Sequence, residues 1–303
     1  MSMGVVGALI IHDPDDPYLN EYDEEIIVML TDYHHTESEI LLKKFLTPSS
    51  EGDEINGKNN FDCSQAPHVS KCVDNSGLAK FEFVSNKRYR LRIINTSAFS
   101  AFFFSIDKHE MEVIEVEGSY TKRNKIHRLP INVAQRYSVI VTVNQPVDNY
   151  IMRSEFQKKC MPDDAKKLSI VKAIVHYDGA PEDSAPKDVP WKDFLEEYTD
   201  EGDHPFHMHG HQFWVLGFGN GTHVDKKSLN TVNPIKRDTS TIPASGWTVL
   251  RFVPDNPGVF GIHCHMWHLQ SGLLMQLIEF PEKIKKMDPP QEWVDLCKLN
   301  TKY

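Results

Sequence analysis

Short apolar segments separated by polar turns run through most of the 303-residue chain. Each segment is rich in Val, Ile, Phe or Tyr and is bounded by Gly, Pro, Asn or Asp, which is typical of β-strands. The predicted strands are residues 7–13, 24–32, 79–84, 89–94, 101–106, 112–116, 131–133, 137–143, 150–154, 170–177, 213–218, 247–253, 259–265 and 273–280. Because many short strands at close spacing favour packed sheets, we predict an all-β fold of sandwich type.

Helical spacing of apolar residues is confined to three short segments. They are residues 38–46, 191–198 and 289–299. A stretch rich in Pro, Asp and Ala after the strand at 170–177 predicts a linker, which we assign to residues 181–203. The chain therefore divides into two predicted units, residues 13–180 and residues 204–303.

Composition narrows the classes of partner. The net charge of −10 argues against nucleic acid or an anionic membrane as the main partner. No window of 18 apolar residues occurs, so we predict no membrane span, and the first residues lack the basic start of a signal peptide. Glycosylation sequons at Asn95 and Asn220 are compatible with a secretory origin and predict a glycoprotein.

The five cysteines differ in their surroundings. Cys63 and Cys72 are close enough in one loop to form a disulfide bond, whereas Cys160 and Cys297 have no evident partner. Cys264 stands apart because histidines flank it on both sides. Its position between two histidines makes Cys264 the candidate metal ligand among the five cysteines.

Two histidine-rich stretches carry the strongest chemical signal, HPFHMHGH at residues 204–211 and HCHMWHLQSGLLM at residues 263–275. Side chains alternate between the two faces of an extended strand, so His263 and His265 point one way and Cys264 points the other. One strand can therefore supply ligands to two sites. An isolated His-x-His is common and a lone buried Cys is more often core, but two such pairs, one of them with a Cys at its centre, favour metal binding.

The residue types indicate copper. A thiolate with two imidazoles and a weak axial ligand is the arrangement of a blue-copper site, for which Cys264, His204 and His268 are the candidates. On the opposite face, four further histidines would form a second copper cluster, and they are His207, His209, His263 and His265. We therefore predict copper as the cofactor.

These motifs resemble the two C-terminal copper motifs of multicopper oxidases, the family of laccases, ferroxidases and ascorbate oxidases. The flanking segments 237–239, 243–247 and 255–259 are also similar to fungal members, and residues 88–141 resemble the family's middle domain, which binds no copper. The resemblance implies cupredoxin-like Greek-key β-sandwiches, one complete and one shortened, with residues 1–12 as the last strand of a first domain. It also implies secretion or a cell-surface location.

The chain departs from the family pattern in three places. The family's three-copper cluster uses eight histidines and only four have counterparts here, and few residues precede His204 in its domain. Two residues instead of three separate His265 from His268, which shifts the direction of His268. Leu273 matches the family's axial position, and a leucine supplies no bond to the metal, which goes with a higher potential.

The resemblance implies an oxidoreductase that takes electrons singly from a small reductant and reduces dioxygen to water. Electrons would pass from the Cys264 thiolate to His263 and His265, its covalent neighbours. The reductant would be a phenol, an aromatic amine or ferrous iron. Asp53 and Glu54 lie where ferroxidases of the family carry an iron-binding carboxylate, and the acidic segment 110–115, with Glu110 and Glu112, also resembles them. Two alternatives stay open: a copper-binding protein that reduces no oxygen, and an assembly in which another chain donates the missing histidines.

Overall fold

The computed structural model describes residues 6–33, 53–55, 58–59, 63, 71, 73, 77–156, 170–182, 184–192, 203–266 and 272–299. The strands are β1 (Glu24–Asp32), β2 (Asp53–Ile55), β3 (Lys80–Phe83), β4 (Arg88–Asn95), β5 (Phe102–Ile106), β6 (Met111–Val116), β7 (Ser119–Ile126), β8 (Arg128–Ile131), β9 (Arg136–Thr142), β10 (Asn149–Phe156), β11 (Ile170–Tyr177), β12 (His204–Met208), β13 (Phe213–Asn220), β14 (Ile235–Arg237), β15 (Thr239–Ile242), β16 (Gly246–Phe252), β17 (Gly258–Cys264) and β18 (Leu274–Glu279). Two helices follow, α1 (Pro281–Ile284) and α2 (Gln291–Leu299), and Lys226–Ser228 forms one 3-10 turn. The all-β prediction is confirmed.

The first unit consists of two sheets. One has the order β2-β1-β4-β9-β6-β7 and the other β3-β11-β10-β5-β8. Apolar side chains from both sheets form a single buried cluster, with Leu91 and Val141 from the first sheet and Phe104 and Val175 from the second. Burial of this apolar surface is the main force that holds the two sheets together.

The second unit is smaller and carries the histidine-rich segments. Its sheets have the orders β15-β12-β17-β18 and β14-β13-β16. Four apolar side chains are buried among its described residues: Met208, Phe213, Leu216 and Cys264. Several others are 50–58% exposed, and they are Val253, Val259, Leu274, Met275 and Ile278. The core of this unit is therefore thin.

Most predicted strands are confirmed, and the exceptions have physical reasons. The strand predicted at residues 7–13 is wrong: residues 6–12 form no strand, and Leu9 and Ile11 are 85% and 77% exposed. An apolar run becomes a strand only where a neighbouring strand completes its hydrogen bonds. The strand predicted at 131–133 is instead β8, which ends at Ile131. The helix at 289–299 is confirmed as α2, whereas the other two predicted helices lie in segments outside the described residues apart from 191–192, which are not helical.

One glycosylation prediction is wrong. Asn95 is 1% exposed, and its side-chain amide donates to the backbone oxygens of Ser100 and Ile131. A glycan cannot be carried at a buried amide that the fold already uses. Asn220 is exposed, so its sequon stays a prediction. Cys63 is disulfide-bonded, and its pairing with Cys72, which lies outside the described residues, also stays a prediction.

Arg153 lies buried inside the first unit. Its guanidinium donates to both carboxylate oxygens of Asp107, at 2.6–2.9 Å, and to Asp188 at 2.9 Å. The side chains of Arg153 and Asp107 are 2% and 1% exposed, whereas that of Asp188 is 50% exposed. Asp107 is therefore the partner that compensates the buried charge.

His109 gives the first unit a predicted sensitivity to acid. Its Nδ1 lies 2.7 Å from the Asp107 carbonyl oxygen and its Nε2 lies 2.5 Å from the Tyr177 hydroxyl. Burial lowers the pKa of His109 below its ordinary value of 6.5. The unfolded chain then binds a proton more readily than the folded one, so stability is intact above pH 6.5 and falls as the pH drops below it.

We expect the free energy of unfolding in urea to decrease from pH 7 to pH 5, and we expect His109→Gln to flatten this slope. His223 is exposed, so His223→Gln serves as the matched control and should leave the slope unchanged. Far-ultraviolet circular dichroism at each pH provides the measurement. Equal slopes in wild type and His109→Gln would contradict the prediction.

Candidate metal centre

The two histidine-rich segments are neighbouring strands. β12 pairs antiparallel with β17, and in this register Phe206 faces Cys264 and His207 faces His263. Residues directly opposite in an antiparallel pair project to the same side of the sheet. The strand alternation therefore directs Cys264 and His204 to one face and His207 and His263 to the other.

The cysteine face brings Cys264 and His204 together. The Cys264 Sγ lies 3.5 Å from the His204 Nδ1, and the Cys264 side chain is buried. The backbone N–H of Cys264 donates to the Leu273 carbonyl oxygen at 3.0 Å, so Leu273 lies beside Cys264 in the sheet. His268, the third predicted ligand, lies outside the described residues.

The opposite face gathers four histidines. The His209 Nε2 lies 3.0 Å from the His263 Nε2, and the rings of His207 and His209 have centroids 5.0 Å apart. The His265 ring lies 5.5 Å from that of His263 and 5.8 Å from that of His207. The side chains predicted to form the second copper cluster therefore share one surface.

The spacing of the donor atoms fits metal ligands. Two imidazole nitrogens that share a transition-metal ion at about 2.0–2.1 Å lie roughly 3 Å apart, and a thiolate sulfur at about 2.3 Å lies roughly 3.5 Å from a nitrogen. The His209–His263 and His204–Cys264 pairs match these separations. Within the described residues the donors approach in pairs, and no three of them converge on one point. Copper would require small side-chain adjustments or ligands from elsewhere.

Burial shifts the pKa values of the candidate metal ligands. It lowers the pKa of His204, His209 and His265, and with the help of neighbouring His207 and His263 the pKa of His265 falls to about 4. These imidazoles are neutral at neutral pH and can offer a lone pair. Burial raises the pKa of the Cys264 thiol, so the thiolate forms when a metal ion replaces its proton.

The ring of His207 is oriented by acceptors on the β14–β15 connection. Its Nδ1 lies 3.0 Å from the Asp238 carbonyl oxygen and 3.1 Å from the Thr239 Oγ1, and the Thr239 hydroxyl itself donates to the Asp238 Oδ1. Because every group around Nδ1 accepts, Nδ1 carries the hydrogen and Nε2 keeps the lone pair. In the sequence, Asp238 and Thr239 are marked only by their similarity to fungal family members. Their contact with His207 depends on the pairing of β12 with β15.

Residues of the first unit also contact the connection between β14 and β15. Burial would raise the pKa of Asp238, but hydrogen bonds from His207 and Arg136 hold it well below its usual range. Arg136 pairs with the Asp238 carboxylate at 2.6 Å, and Glu117 pairs with Arg237 at 2.6 Å. The histidine cluster is therefore supported from both units.

His211, the last histidine of its motif, does not join the cluster. Its Nδ1 lies 3.1 Å from the His209 carbonyl oxygen, and its Nε2 lies 3.3 Å from the Glu279 carboxylate. Gly210 between the two histidines has φ +70°, and a Cβ there would lie 2.3 Å from the Phe260 ring. The glycine thus permits a tight turn that sends His209 and His211 to different surroundings.

A pocket of about 410 Å³ opens beside His207. Its lining includes His207, Asp238, Lys236, Trp214 and Asp255. The walls are mainly polar, and small molecules can reach the edge of the histidine cluster from solvent through this pocket.

No helix among the described residues is long and apolar enough to cross a membrane.

Comparison with known families gives matches along most of the chain. A family model described as multicopper oxidase matches residues 24–180, and a second model with the same description matches residues 185–283. The first match covers β1 to β11, and the second covers every residue of the two histidine-rich segments. Both structural units therefore match models of the same family.

Individual relatives agree with the family models. The chain is 30% identical to oxidoreductase OpS5 of Beauveria bassiana, covering 100% of this chain and 67% of that protein. It is 29% identical to iron transport multicopper oxidase fio1 of Schizosaccharomyces pombe, covering 98% and 61%. The crystal structure of the Botrytis aclada laccase superposes with a TM-score of 0.77 at 25% identity, covering 87% and 65%. The chain thus spans about two thirds of the length of these relatives.

The alignment with OpS5 runs over 403 positions, although this chain has 303 residues. Residues inside the matched span of that relative therefore have no counterpart here.

Proposed function

Because the chain belongs to the multicopper oxidase family, with its all-β, cupredoxin-like fold, we propose that residues 204–279 hold copper and serve an oxidase reaction. In this reaction a small reductant gives up electrons singly and dioxygen is reduced to water. The proposal concerns the activity of a whole protein, because this chain spans only about two thirds of the length of its relatives.

The register between β12 and β17 is the observation that carries this proposal. It places the Cys264 Sγ 3.5 Å from the His204 Nδ1 on one face and four histidine rings on the other. Soft thiolate with imidazole is a ligand set suited to copper, and a cluster of imidazoles alone suits it as well. A single strand thereby links two candidate copper sites through the covalent bonds between residues 263 and 265.

Copper supplies the one-electron chemistry when it is bound, and the protein supplies ligands, orientation and access. His204 and Cys264 would hold copper on the face where the Cys264 side chain is fully buried. On the other face, acceptors on Asp238 and Thr239 hold the His207 ring with its Nε2 lone pair exposed. The pocket beside His207 admits small molecules, and its wall includes the ionised Asp238 carboxylate, which is paired with Arg136.

We propose an organic reductant, a phenol or an aromatic amine, rather than ferrous iron. Iron would need carboxylates available to a hard cation, and Glu110 and Glu112 are instead paired with Lys125 and Arg123 at 2.7 and 3.0 Å. The prediction for Asp53 and Glu54 concerns side chains outside the described residues. The relatives compared above are an oxidoreductase whose name states no substrate, an iron transport oxidase and a laccase, so their names do not decide between the two classes.

The proposal is tested by copper content, visible absorption and oxygen uptake of the purified chain. We expect bound copper and the intense band of a copper thiolate, followed by oxygen consumption with a phenol that exceeds the consumption with ferrous iron. Absence of bound copper after reconstitution would reject the proposal at its first step. A faster reaction with ferrous iron would reject only the substrate class.

A non-catalytic copper protein is the second candidate. The observation that favours it is the histidine count, since the sequence holds only two of the four His-x-His pairs that the family's cluster would use, 207/209 and 263/265. In that case the thiolate band appears without oxygen uptake. Mixing with a chain that donates histidines should then restore uptake if the cluster is completed at an interface.

We also place the protein in a secretory or cell-surface setting. Supporting this are the disulfide at Cys63 and the exposed sequon at Asn220, since disulfides persist in oxidising compartments. Mass spectrometry of the protein from its native host would detect a glycan at Asn220 and none at the buried Asn95.

A further inference from the structure

Glu117 occupies a backbone conformation that side-chain-bearing residues rarely adopt. It forms, with Gly118, the two-residue turn between β6 and β7, and both residues have positive φ, +50° and +77°. Such turns favour Asn-Gly or Asp-Gly, because short polar side chains tolerate this region. A glutamate here is a backbone outlier, and such outliers concentrate at functional sites.

The Glu117 carboxylate points away from its own unit and into the second one. Its side chain is fully buried, and it accepts hydrogen bonds from the Arg237 guanidinium at 2.6 Å and from the backbone N–H groups of Asp238 and Thr239, both at 2.8 Å. Burial raises the pKa of Glu117, while Arg237 opposes that effect. Since every partner is a donor, the carboxylate is ionised in this contact.

One peptide group connects this carboxylate to a candidate copper ligand. The Thr239 N–H that donates to Glu117 and the Asp238 carbonyl that accepts from His207 belong to the same planar peptide unit. Holding one end of a rigid plane fixes the other end. An anion at the N–H also polarises the peptide, which makes the carbonyl oxygen a stronger acceptor for the His207 Nδ1–H.

We propose that Glu117 is a positioning residue for His207: from the first unit, through the peptide between Asp238 and Thr239, it holds the His207 ring with Nδ1 protonated and Nε2 available to copper. This inference rests on the proposed copper site. Orienting partners of metal-bound histidines contribute about 10–100-fold to metal affinity when they contact the ring directly. Glu117 acts one group further out, so the lower end of that range applies.

A purely structural role, in which Glu117 only latches the two units together, makes a different prediction. Gln212 offers the matched control because it also bridges the units, donating to the Glu117 carbonyl oxygen at 2.7 Å and accepting from the Ser119 hydroxyl at 3.0 Å. Neither of these hydrogen bonds involves the peptide between Asp238 and Thr239. Gln212→Ala therefore weakens the latch and spares the peptide.

The test uses the full chain carrying Cys264→Ser, so that Cu²⁺ titration reports on the histidine cluster. Glu117→Gln should weaken Cu²⁺ binding about tenfold, whereas Gln212→Ala should change it less than twofold. In the metal-free chain, nitrogen-15 NMR of the histidine rings should show His207 shifting from its Nδ1–H tautomer in Glu117→Gln and keeping that tautomer in Gln212→Ala.

Equal weakening in both variants, or an unchanged His207 tautomer in Glu117→Gln, would overturn the inference. If the parent chain binds no Cu²⁺, the proposed function fails, and the tautomer measurement still decides the role of Glu117. Should Glu117→Gln not fold, as judged by circular dichroism, Glu117→Asp replaces it: the charge stays but the shorter side chain cannot reach the peptide, so the same tautomer shift is expected.

Discussion

Replacing Cys264 with serine is expected to remove the visible band of thiolate-bound copper completely and to lower the copper content by one equivalent. A serine hydroxyl lacks the soft sulfur on which that absorption and the affinity of this site depend. The four histidines of the opposite face stay in place, because serine fits the space of cysteine in β17. Absorption spectroscopy and metal analysis of the reconstituted protein provide the measurement.

Cys297→Ser is the control for this experiment, since it changes a cysteine that no predicted site uses. We expect the control to keep both the band and the copper. A band that survives in Cys264→Ser would show that another group supplies the sulfur, and the proposed copper site on the Cys264 face would have to be abandoned.

Of the two carboxylates that pair with Arg153, Asp107 is expected to contribute more to stability, so Asp107→Asn should lower the free energy of unfolding more than Asp188→Asn. It would leave the Arg153 guanidinium buried without its main counter-charge, and breaking a buried ion pair from one side costs about 3–5 kcal/mol. Asp188→Asn changes the other carboxylate that pairs with Arg153. Because the Asp188 side chain is half exposed, we expect the free energy of unfolding to fall by about 1 kcal/mol or less. Urea unfolding followed by circular dichroism compares the two variants.

The contrast between these variants tests where the stabilisation resides. If Asp188→Asn proved the more damaging change, then burial would not be what makes the Arg153 contacts important. The result also bears on the copper site, because the unit that holds Arg153 supplies Glu117 and Arg136 to the connection behind His207.

Much of the fold follows from local sequence pattern. Strands such as β5 and β9 are apolar, so their burial can be predicted from composition and periodicity. β7 was missed because its sequence, SYTKRNKI, is polar and its side chains face mainly solvent. The false strand at residues 7–13 shows the reverse error, in which an apolar run has the right composition but no neighbour to pair with in the described structure.

The faces of the candidate site could also be predicted, because alternation along a strand is a local property. The supporting residues could not. Glu117 and Arg237 are 120 residues apart in sequence, and their contact exists only because the two units pack together. Nothing in the local pattern around Glu117 marks it as a partner of β14 and β15 except the unusual Glu-Gly turn, whose meaning appears only in three dimensions.

The β12–β17 ladder also limits how this segment can change length over evolutionary time. An insertion or deletion of one residue within β17 would invert every following side chain, placing the sulfur among the imidazoles and the imidazoles where the sulfur belongs. The paired segment of β17 is therefore expected to keep a fixed number of residues, whereas the spacing between His265 and His268 departs from the family pattern by one residue.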